Sequence, residues 1–310
     1  VKDNTNPSIT TCPPTENYEG CTTAAITSLA YSETDVTVTA TDFANVGGVA
    51  TDACGITVYK YKDSKTGSCP TVVTRHWTLE DACGNKSECD QTINVDDNTN
   101  PSVTLNGLST IEICKGNAFT DPGATATDIC SGDLTGSIAV TGTVDINTPD
   151  TYTIKYKATD ACGNMASQER TVIVYDNPAC SITGDDPVCG NTSGNIYSAP
   201  LGMTTYAWSI SGNGTISGAA DGQTVSVSAT TGGSFILTLT ITDANNCTST
   251  CMKTVTVNPY PTGISVGLSV CSGDNTWFGY LPTYIDNGVL STFTWTFTDN
   301  PDVTGENNGS

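Results

Sequence analysis

The sequence predicts an all-β fold of several β-sandwich domains in tandem, with essentially no helix. Apolar residues come in short alternating runs such as "ITVYKYK", "TYTIKYKATD" and "FILTLTITD", which is the pattern of strands with one buried face. No stretch keeps an apolar period of 3.6 residues over a dozen positions, and this argues against helices. A length of 310 residues exceeds what a single hydrophobic core usually supports, so several domains are expected.

A repeated turn motif divides the chain. The motif is "DACG" or the diverged form "DANN", and it occurs at residues 52–55, 81–84, 160–163 and 243–246. The acidic word "DNTNPS" begins at Asp97, 16 residues after Asp81, and "DNPAC" begins at Asp176, 16 residues after Asp160. A fixed distance indicates a fixed piece of structure, here one alternating strand followed by a linker that contains proline. The domains are therefore predicted at residues 1–96, 97–175, 176–257 and 258–310.

Each complete unit has the strand content of an immunoglobulin-like sandwich. Units of about 80 to 95 residues with about seven short strands and frequent turns are typical of that architecture. Trp208 and Trp295 lie mid-strand between alternating neighbours, so we expect both to be core aromatics between two sheets. The fourth unit stops before a second turn motif or a final strand, and we expect it to be incomplete.

Charge and cysteine content restrict the function and the compartment. Eleven basic and 32 acidic residues give a net charge of −21, which repels nucleic acid and anionic membrane surfaces and attracts cations. This charge argues against a nucleic-acid partner. No apolar run approaches the length of a membrane span, so membrane insertion of this segment is not expected. Fourteen cysteines with a single histidine indicate disulfides rather than a metal site. The protein is therefore predicted to be secreted or attached to the cell surface.

Two disulfides follow from the co-occurrence of cysteines. Cys89 in the first unit and Cys251 in the third lie eight residues after the aspartate of the turn motif, where the second unit has Gln168. The first and third units, and not the second, also carry a cysteine in the first strand, namely Cys12 and Cys180. Because a unit has either both of these cysteines or neither, we predict that the two bond each other, as Cys12–Cys89 and Cys180–Cys251.

The other cysteines are assigned by loop position and by elimination. The predicted pairs are Cys54–Cys83, Cys21–Cys69 and Cys189–Cys247. The pairing among Cys114, Cys130 and Cys162 stays open. Cys271 matches Cys189 in its local sequence, so its partner is expected beyond residue 310.

The units resemble known families of extracellular repeats. The first, with "PSITTCPP" and "TLEDACGNKSECDQTINVDD", resembles hyalin-repeat (HYR-like) domains. The second, with "FTDPGATATD" and "TYTIKYKATDACGNMASQERTVIVYD", resembles bacterial immunoglobulin-like surface repeats. The third, with "YAWSISGNGTISGAADGQTVSVSA" and "LTLTITDANNCTSTCMKTVTVNP", is similar to PKD-like domains. The resemblance implies a large secreted adhesin or surface filament, especially of gliding bacteria, and names no ligand.

Acidic residues are expected to converge at the domain junctions. In an immunoglobulin-like sandwich, the incoming linker, the loop after the second strand and the turn before the last strand share one end. Asp3 is thus expected near Asp52 and Asp81, and Asp97 near Asp128 and Asp160. Since Ca²⁺ takes six to eight oxygen ligands, these carboxylates could clamp each junction through a calcium ion, as the resemblance to calcium-rigidified bacterial repeats also implies. The candidate ligands are Asp3, Asp52, Asp81, Asp97, Asp128, Asp160, Asp176 and Asp243. The alternative is a polar turn that satisfies its own hydrogen bonds.

The expected function is mechanical and adhesive, without catalysis. The only histidine, His76, lies in a strand beside Trp77, and the chain has no nucleophile elbow, phosphate loop or metalloprotease helix. Two alternatives stay open: a carbohydrate-binding module, which requires an exposed row of aromatic side chains, and a fibre in which the fourth unit receives a strand from a neighbouring subunit. The expected partners are neighbouring copies of the protein or surface glycans.

Several asparagines fit the pattern of N-glycosylation acceptors. The main candidates are Asn85, Asn191 and Asn213.

Overall fold

The computed structural model describes residues 3–259, so nearly all of the fourth predicted unit, with Trp295 and Cys271, lies outside the described residues. The chain divides between Tyr175 and Asp176 into two compact units. The first unit contains two β-sandwiches. The second contains one sandwich within residues 176–259. The predicted all-β class is confirmed.

The first sandwich is built from seven strands within residues 3–96. They are β1 (Ser8–Thr11), β2 (Glu16–Glu19), β3 (Val36–Val38), β4 (Val49–Thr51), β5 (Ile56–Thr66), β6 (Thr71–Asp81) and β7 (Lys86–Asp96). One sheet has the order β2-β7-β6-β5-β3, and β1 pairs with β4 in the second. Strand β2 runs parallel to the last strand, β7, whereas the other pairs are antiparallel.

A short α-helix, α1 (Ala40–Asn45), interrupts the first sandwich. Thr39 and Asp42 form a capping box at its start, which satisfies amide groups that the helix leaves unpaired. The helix packs Phe43 edge-on against Trp77, with ring centroids 4.9 Å apart. Six residues are too few to produce a helical apolar period, so the sequence pattern missed this element. Two 3₁₀ turns, Thr23–Ala25 and Thr135–Ser137, complete the helical content of residues 3–259.

The second sandwich is built from seven strands within residues 97–175. They are β8 (Ser102–Leu105), β9 (Thr110–Cys114), β10 (Ala124–Asp128), β11 (Gly132–Asp133), β12 (Ala139–Thr141), β13 (Asp150–Thr159) and β14 (Met165–Tyr175). Its two sheets have the orders β11-β10-β8 and β12-β13-β14-β9. Strand β9 runs parallel to the last strand, β14, as β2 does to β7.

The third sandwich repeats this plan in the second unit. Its strands are β15 (Val188–Cys189), β16 (Asn195–Ser198), β17 (Thr205–Gly212), β18 (Gly214–Ser217), β19 (Thr224–Ala229), β20 (Gly233–Thr242) and β21 (Thr248–Asn258). The sheets have the orders β16-β19-β18 and β15-β21-β20-β17, with β15 parallel to β21.

Alternation along the long strands forms each core. On β20 every second side chain is buried, from Phe235 through Leu237 and Leu239 to Ile241. Trp208 is 6% exposed and donates its indole N–H to the Gly222 carbonyl at 2.8 Å, so its predicted core position is confirmed. The core of a sandwich therefore follows from the period of two that is visible in the sequence.

Buried arginines fix loops to the cores of the first two sandwiches. Arg75 on β6 bonds both carboxylate oxygens of Asp63 on β5 at 2.8 and 2.9 Å, and both side chains are fully buried. The Arg75 guanidinium also donates to the carbonyls of residues 29–30. Arg170 on β14 is equally buried and donates to the carbonyls of Asn106, Leu108 and Gly123.

Candidate functional site at the first domain junction

Strand direction defines two ends of each sandwich. Strand β7 runs away from the turn 81–84 and delivers the chain to the linker that begins at Asp97. We call the end where the chain comes in the proximal end and the end where it leaves the distal end. The distal end of the first sandwich and the proximal end of the second meet at the linker, and together they form the first junction.

Two disulfides cross this junction. Cys21, just after β2, bonds Cys130, just after β10, with Cα atoms 4.9 Å apart. Cys69, in the loop between β5 and β6, bonds Cys162 in the turn between β13 and β14, with Cα atoms 5.2 Å apart. The predicted pair Cys21–Cys69 is therefore wrong. Elimination within one unit assumed that each domain closes its own bonds, whereas both cysteines lie at an end that faces the next domain.

The structure also contains Cys12–Cys89 and Cys180–Cys251, with Cα separations of 6.0 and 5.7 Å. These are the two pairs that the co-occurrence of cysteines predicts. Each joins the N-terminal segment of its sandwich to the last strand. Comparison of the cysteine positions between units was sufficient for them, because both partners lie within one domain.

Two predicted bonds are absent, because Cys54, Cys83 and Cys189 carry no disulfide. Cys189 pairs in register with Asn258 at one end of β21, whereas Cys247 precedes the other end, so about 35 Å of extended strand separates them. The Cys54–Cys83 prediction is wrong for another reason. Both residues lie at the proximal end of the first sandwich, but the Cys54 sulfur lies within 4.8 Å of carboxylate oxygens of Asp3 and Asp52 and is not bonded to Cys83.

Asp97 is the buried carboxylate of the junction. Its side chain is 97% buried, since the residue is only 3% exposed, and Oδ1 accepts hydrogen bonds from the backbone N–H and the hydroxyl of Thr99 at 3.1 and 2.5 Å. Its other oxygen, Oδ2, is buried without a hydrogen-bond partner. A buried carboxylate oxygen with no partner is costly, so it marks a place where a cation would be favourable.

Asp128 supplies a second carboxylate beside Asp97. Ligand atoms of Asp97, Asp128 and Cys130 all lie within 4.8 Å of one another. The Cys130 sulfur is used in the disulfide to Cys21, which leaves the two carboxylates as the oxygen donors of the group. A surface depression of about 280 Å³, lined in part by Thr99, Ser102 and Asp128, opens this position to solvent. The expected approach of Asp97 to Asp128 is thus present.

The proximal end of the first sandwich repeats the arrangement. Oδ1 of Asp3 accepts from the N–H and hydroxyl of Thr5 at 2.9 and 2.5 Å, and Oδ2 is buried without a partner. Asp3 groups with Asp52 and Cys54 as Asp97 does with Asp128 and Cys130. Hydrogen bonds from the Thr5 hydroxyl, the Thr5 N–H and the Cys54 thiol lower the pKa of Asp3 to about 2. In turn, the Asp3 carboxylate raises the pKa of the Cys54 thiol to about 11, so the thiol is protonated at neutral pH.

The Asp81 and Asp160 carboxylates accept hydrogen bonds from the turns that they begin. Oδ1 of Asp160 accepts the N–H groups of Cys162 and Asn164, and Oδ2 accepts the Asn164 side chain. Asp81 is bonded in the same way to the turn that it begins. At each proximal end two of the three expected carboxylates thus form a close group, and calcium ligation by Asp81 and Asp160 stays a prediction.

Two asparagines for which the sequence predicted no structural role hold the linkers in place. Asn164 donates from Nδ2 to the Asp97 carbonyl at 2.7 Å, and Asn85 donates to the Asp3 carbonyl at 3.3 Å. Each asparagine directly follows "DACG", so the five-residue motif "DACGN" is the sequence feature that could have identified this role. These bonds couple the turn before the last strand to the acidic linker.

The turn hydrogen bonds also hold carboxylates in the ionised form. The Asn85 side chain, followed by backbone N–H groups of the turn, keeps the pKa of Asp81 below its ordinary value. Burial opposes the same effect at Asp160, but bonds from Asn164, Cys162 and Gly163 outweigh it and lower the pKa of that carboxyl.

The remaining acidic candidates lie in the second unit. Oδ1 of Asp176 accepts the N–H of Asn177, and Oδ1 of Asp243 accepts the N–H groups of Asn245 and Cys247. Asp243 therefore plays the role in its turn that Asp81 and Asp160 play in theirs. Calcium ligation by Asp176 and Asp243 stays a prediction.

The only histidine lies on an open sheet surface. Its Nδ1 is 2.7 Å from Asp90 Oδ1 and its Nε2 is 3.4 Å from Glu88 Oε2, and roughly half of the ring is exposed. This is a cross-strand polar contact between β6 and β7.

The predicted glycosylation acceptors differ in accessibility. The Asn85 amide is occupied by Asp81 and Asp3, and the Asn213 amide donates to the Gly232 carbonyl at 2.8 Å. Asn191 is exposed in a left-handed turn with φ of 60°. Asn191 therefore has the most accessible side chain of the three predicted acceptors, and its glycosylation stays a prediction.

Comparison with known proteins gives a family for two of the sandwiches. Residues 103–174 match the family model of the Ig-like domain of bacterial surface proteins, and residues 176–257 match that of the PKD-like domain. A search of curated proteins found no match. In the part of the chain that the structure describes, no helix has the length and apolarity needed to cross a membrane.

Solved structures with similar chains share little sequence with this one. They include a lipoprotein of Bacteroides thetaiotaomicron with 22% identity and a TM-score of 0.24, covering 51% of this chain and 80% of that one. Cadherin domains 1–4 of protocadherin gamma B7 have 12% identity and a TM-score of 0.31, covering 81% and 76%. An I-band fragment of titin has 9% identity and a TM-score of 0.34, covering 82% and 99%. The fold assignment rests on the sheets described above.

The matched family models, the β-sandwich fold and the disulfides are all typical of extracellular domains. Several disulfides together with surface-type domains indicate an extracellular location. Domains of these kinds are typically non-catalytic structural modules. The described residues therefore form β-sandwiches in tandem, of which residues 103–174 match a bacterial surface Ig-like domain and residues 176–257 match a PKD-like domain.

Proposed function

We propose that this chain is a structural or adhesive segment of a secreted bacterial surface protein or extracellular filament, in which junctions between sandwiches are stiffened. The observation that carries the proposal is the pair of disulfides, Cys21–Cys130 and Cys69–Cys162, across the first junction. We also propose that the domains end at residues 96, 175 and 257. The first of them would be an HYR-like domain.

Two bridges restrain a junction more than one does. A single bond acts as a pivot, whereas two bonds between different loops oppose both bending and twisting of one sandwich against the other. The bridges close loops with sequence separations of 109 and 93 residues. For loops of this length the chain-entropy model gives about 4 to 5 kcal/mol of stabilisation each. Such a junction resists unfolding under load, as a surface stalk requires.

Calcium at the junction is the finer part of the proposal. Asp97 has a buried oxygen without a partner, and the Asp128 carboxylate lies beside it. Two carboxylates this close repel each other, and a divalent cation would turn the repulsion into attraction. Asp97 and Asp128, with nearby backbone oxygens and water, would hold the ion. Asp3 and Asp52 form the equivalent pair at the proximal end of the first sandwich.

Thermal unfolding of the whole chain tests the calcium proposal. The midpoint is expected to rise in millimolar CaCl₂ relative to EGTA, and to rise less in MgCl₂, because Mg²⁺ demands a stricter octahedral site. Equal midpoints in calcium and EGTA would exclude the clamp and leave the disulfide junction untouched.

Backbone NMR relaxation tests the stiff junction itself. The first two sandwiches are expected to share one rotational correlation time in the oxidised chain and to tumble separately after selective reduction of the two junction disulfides. Separate tumbling in the oxidised chain would overturn the structural proposal.

The alternative functions lack support in the described residues. Within residues 3–259 every aromatic side chain is buried or half-buried, so an exposed row for stacking on sugars is not formed there. The strand-exchange alternative concerns residues 258–310, which lie almost wholly outside the described residues. Association with neighbouring copies stays a proposal, and sedimentation of the oxidised chain over a range of concentrations measures it.

A further inference from the structure

We propose that Cys54 and Cys83 are one half of another disulfide-bridged junction, and that they bond two cysteines on the distal end of a further sandwich domain. The partner is defined by its chemistry: an immunoglobulin-like domain that presents two cysteines placed as Cys21 and Cys69 are. The inference rests on the repeat between the first two sandwiches and does not require calcium.

Local backbone geometry makes the two proximal ends equivalent. Cys54 donates its N–H to Oδ1 of Asp52 at 2.8 Å, and Cys130 donates to Oδ1 of Asp128 at 2.8 Å. The second cysteine of each end is held in the same way. Cys83 donates to Oδ1 of Asp81 at 2.8 Å, and Cys162 donates to Oδ1 of Asp160 at 2.9 Å.

The linkers at the two ends also match. Asp3 and Asp97 each accept two hydrogen bonds on Oδ1 from the threonine two residues later, and each has a buried Oδ2 without a partner. Each linker carbonyl receives a bond from the asparagine of the facing turn. The equivalence therefore extends beyond the cysteines to the whole end of the domain.

The use of the cysteines differs between the ends. In the second sandwich, Cys130 and Cys162 do not bond each other, and each reaches across the junction to the first sandwich. In the first sandwich, Cys54 and Cys83 are both exposed and carry no disulfide. Two exposed thiols in a chain otherwise rich in disulfides, at positions whose counterparts bond a neighbouring domain, indicate that a neighbouring domain is their partner as well.

The repeat also predicts which bond each cysteine makes. Cys130 follows β10 and bonds the cysteine after the parallel strand β2, so Cys54 is assigned to a cysteine placed like Cys21. Cys162 bonds the cysteine that precedes β6, so Cys83 is assigned to one placed like Cys69. Each bond forms by two exchange steps with a small-molecule disulfide such as oxidised glutathione. Two protein thiols become one disulfide, and the oxidant is reduced to two thiols.

The test compares two oxidised proteins by disulfide mapping, both in EGTA so that calcium has no influence. The first is the chain of residues 1–310. The second, the extended chain, carries before Val1 a further copy of residues 1–94 with Cys54→Ser and Cys83→Ser in that copy, so that it holds one Cys54 and one Cys83 and keeps the linker length of the first junction. Both are refolded with oxidised glutathione, alkylated without denaturation, digested and analysed by mass spectrometry. A Cys54→Ser variant of the extended chain gives the specificity of the pairing.

In the chain of 310 residues, Cys54 and Cys83 are expected to be alkylated or capped by glutathione. In the extended chain they are expected to bond Cys21 and Cys69 of the added copy, and the Cys54→Ser variant is expected to lose only the first of these bonds. A Cys54–Cys83 bond in either protein, or unbonded Cys54 or Cys83 in the extended chain, would overturn the proposal. Cys12–Cys89 reports correct folding in every sample, and Cys189 serves as the thiol that stays alkylatable throughout.

Discussion

Asn164 donates one side-chain hydrogen to the Asp97 carbonyl at 2.7 Å and another to Oδ2 of Asp160 at 2.9 Å. One amide thus ties the acidic linker to the turn before the last strand of the second sandwich. Asn85 makes the same two contacts in the first sandwich, to Asp3 and Asp81. The position of the buried carboxylate at each proximal end therefore depends on a residue that is remote from it in the sequence.

Asn164→Ala is expected to lower the free energy of unfolding by about 1 to 3 kcal/mol, because it leaves the buried acceptors Asp97 and Asp160 short of a donor. Urea denaturation of the whole chain measures the change. Asn94→Ala is the matched control, since that side chain makes one exposed bond to Asn17 and its loss is expected to cost little. Equal effects of the two substitutions would contradict the role given to Asn164.

Asp97→Asn is expected to act in opposite directions with and without calcium. In EGTA the midpoint of unfolding is expected to stay level or rise, because the substitution removes a buried charge and keeps the Oδ1 acceptor for Thr99. In CaCl₂ the variant is expected to lose the calcium-induced rise. Glu169→Gln removes one exposed charge from β14 and is expected to keep the full rise. A calcium response that is unchanged in Asp97→Asn would place the ion elsewhere.

Removal of one junction disulfide, through Cys21→Ser with Cys130→Ser, is expected to destabilise the first unit by about 2 to 5 kcal/mol. It is also expected to expose the linker 97–101 to proteolysis, because a single remaining bridge leaves rotation about one pivot. Limited proteolysis with N-terminal sequencing of the fragments locates the cleavage. Cys189→Ser is the control, since Cys189 carries no disulfide. A linker that resists cleavage to the same extent in both variants would show that one bridge suffices.

Acid is expected to destabilise the first unit between about pH 4 and pH 2. The pKa of Asp3 falls from 3.8 to about 2 on folding, and the pKa of Asp81 and of Asp160 is also lowered. A carboxyl whose pKa is depressed by folding stabilises the folded state above its unfolded pKa, and this stabilisation is lost as the pH falls through the folded value. Urea midpoints measured from pH 5 to pH 2 follow the loss. Thr5→Ala is expected to make the pH dependence shallower, since it removes the hydroxyl donor that contributes most to the shift of Asp3.

Arg75→Leu is expected to cost about 3 to 5 kcal/mol, because it leaves Asp63 buried and without its counter-ion. Adding Asp63→Leu to that variant is expected to restore part of the loss, since no buried charge then remains. Denaturation of both variants measures the difference. Lys60→Ala, which breaks an exposed pair with Asp35, is expected to leave the midpoint nearly unchanged. A double variant less stable than Arg75→Leu would mean that the pair itself is strongly stabilising.

The local and intradomain features could be predicted from the sequence. Alternating apolar positions are sufficient for the strands and for a buried Trp208, because a side chain's face follows from a period of two. The pair Cys12–Cys89 followed from the co-occurrence of cysteines in the first and third units. Helix α1 was missed because its six residues are shorter than two turns, and the buried pair of Arg75 and Asp63 was missed because exposed and buried charges look alike in a sequence.

The sequence by itself predicted the β-sandwich class, which the structure confirms, and it also predicted the division into domains, an oxidising compartment and acidic motifs at the junctions. These properties depend on composition and on short-range spacing. The tertiary structure was needed for the partners of Cys21, Cys69, Cys130 and Cys162, for the unpartnered oxygen of Asp97 and for the use of Asp160 as a turn acceptor. Bonds and charges at a junction depend on which end of one domain faces the next, and that relation arises only when both domains are folded.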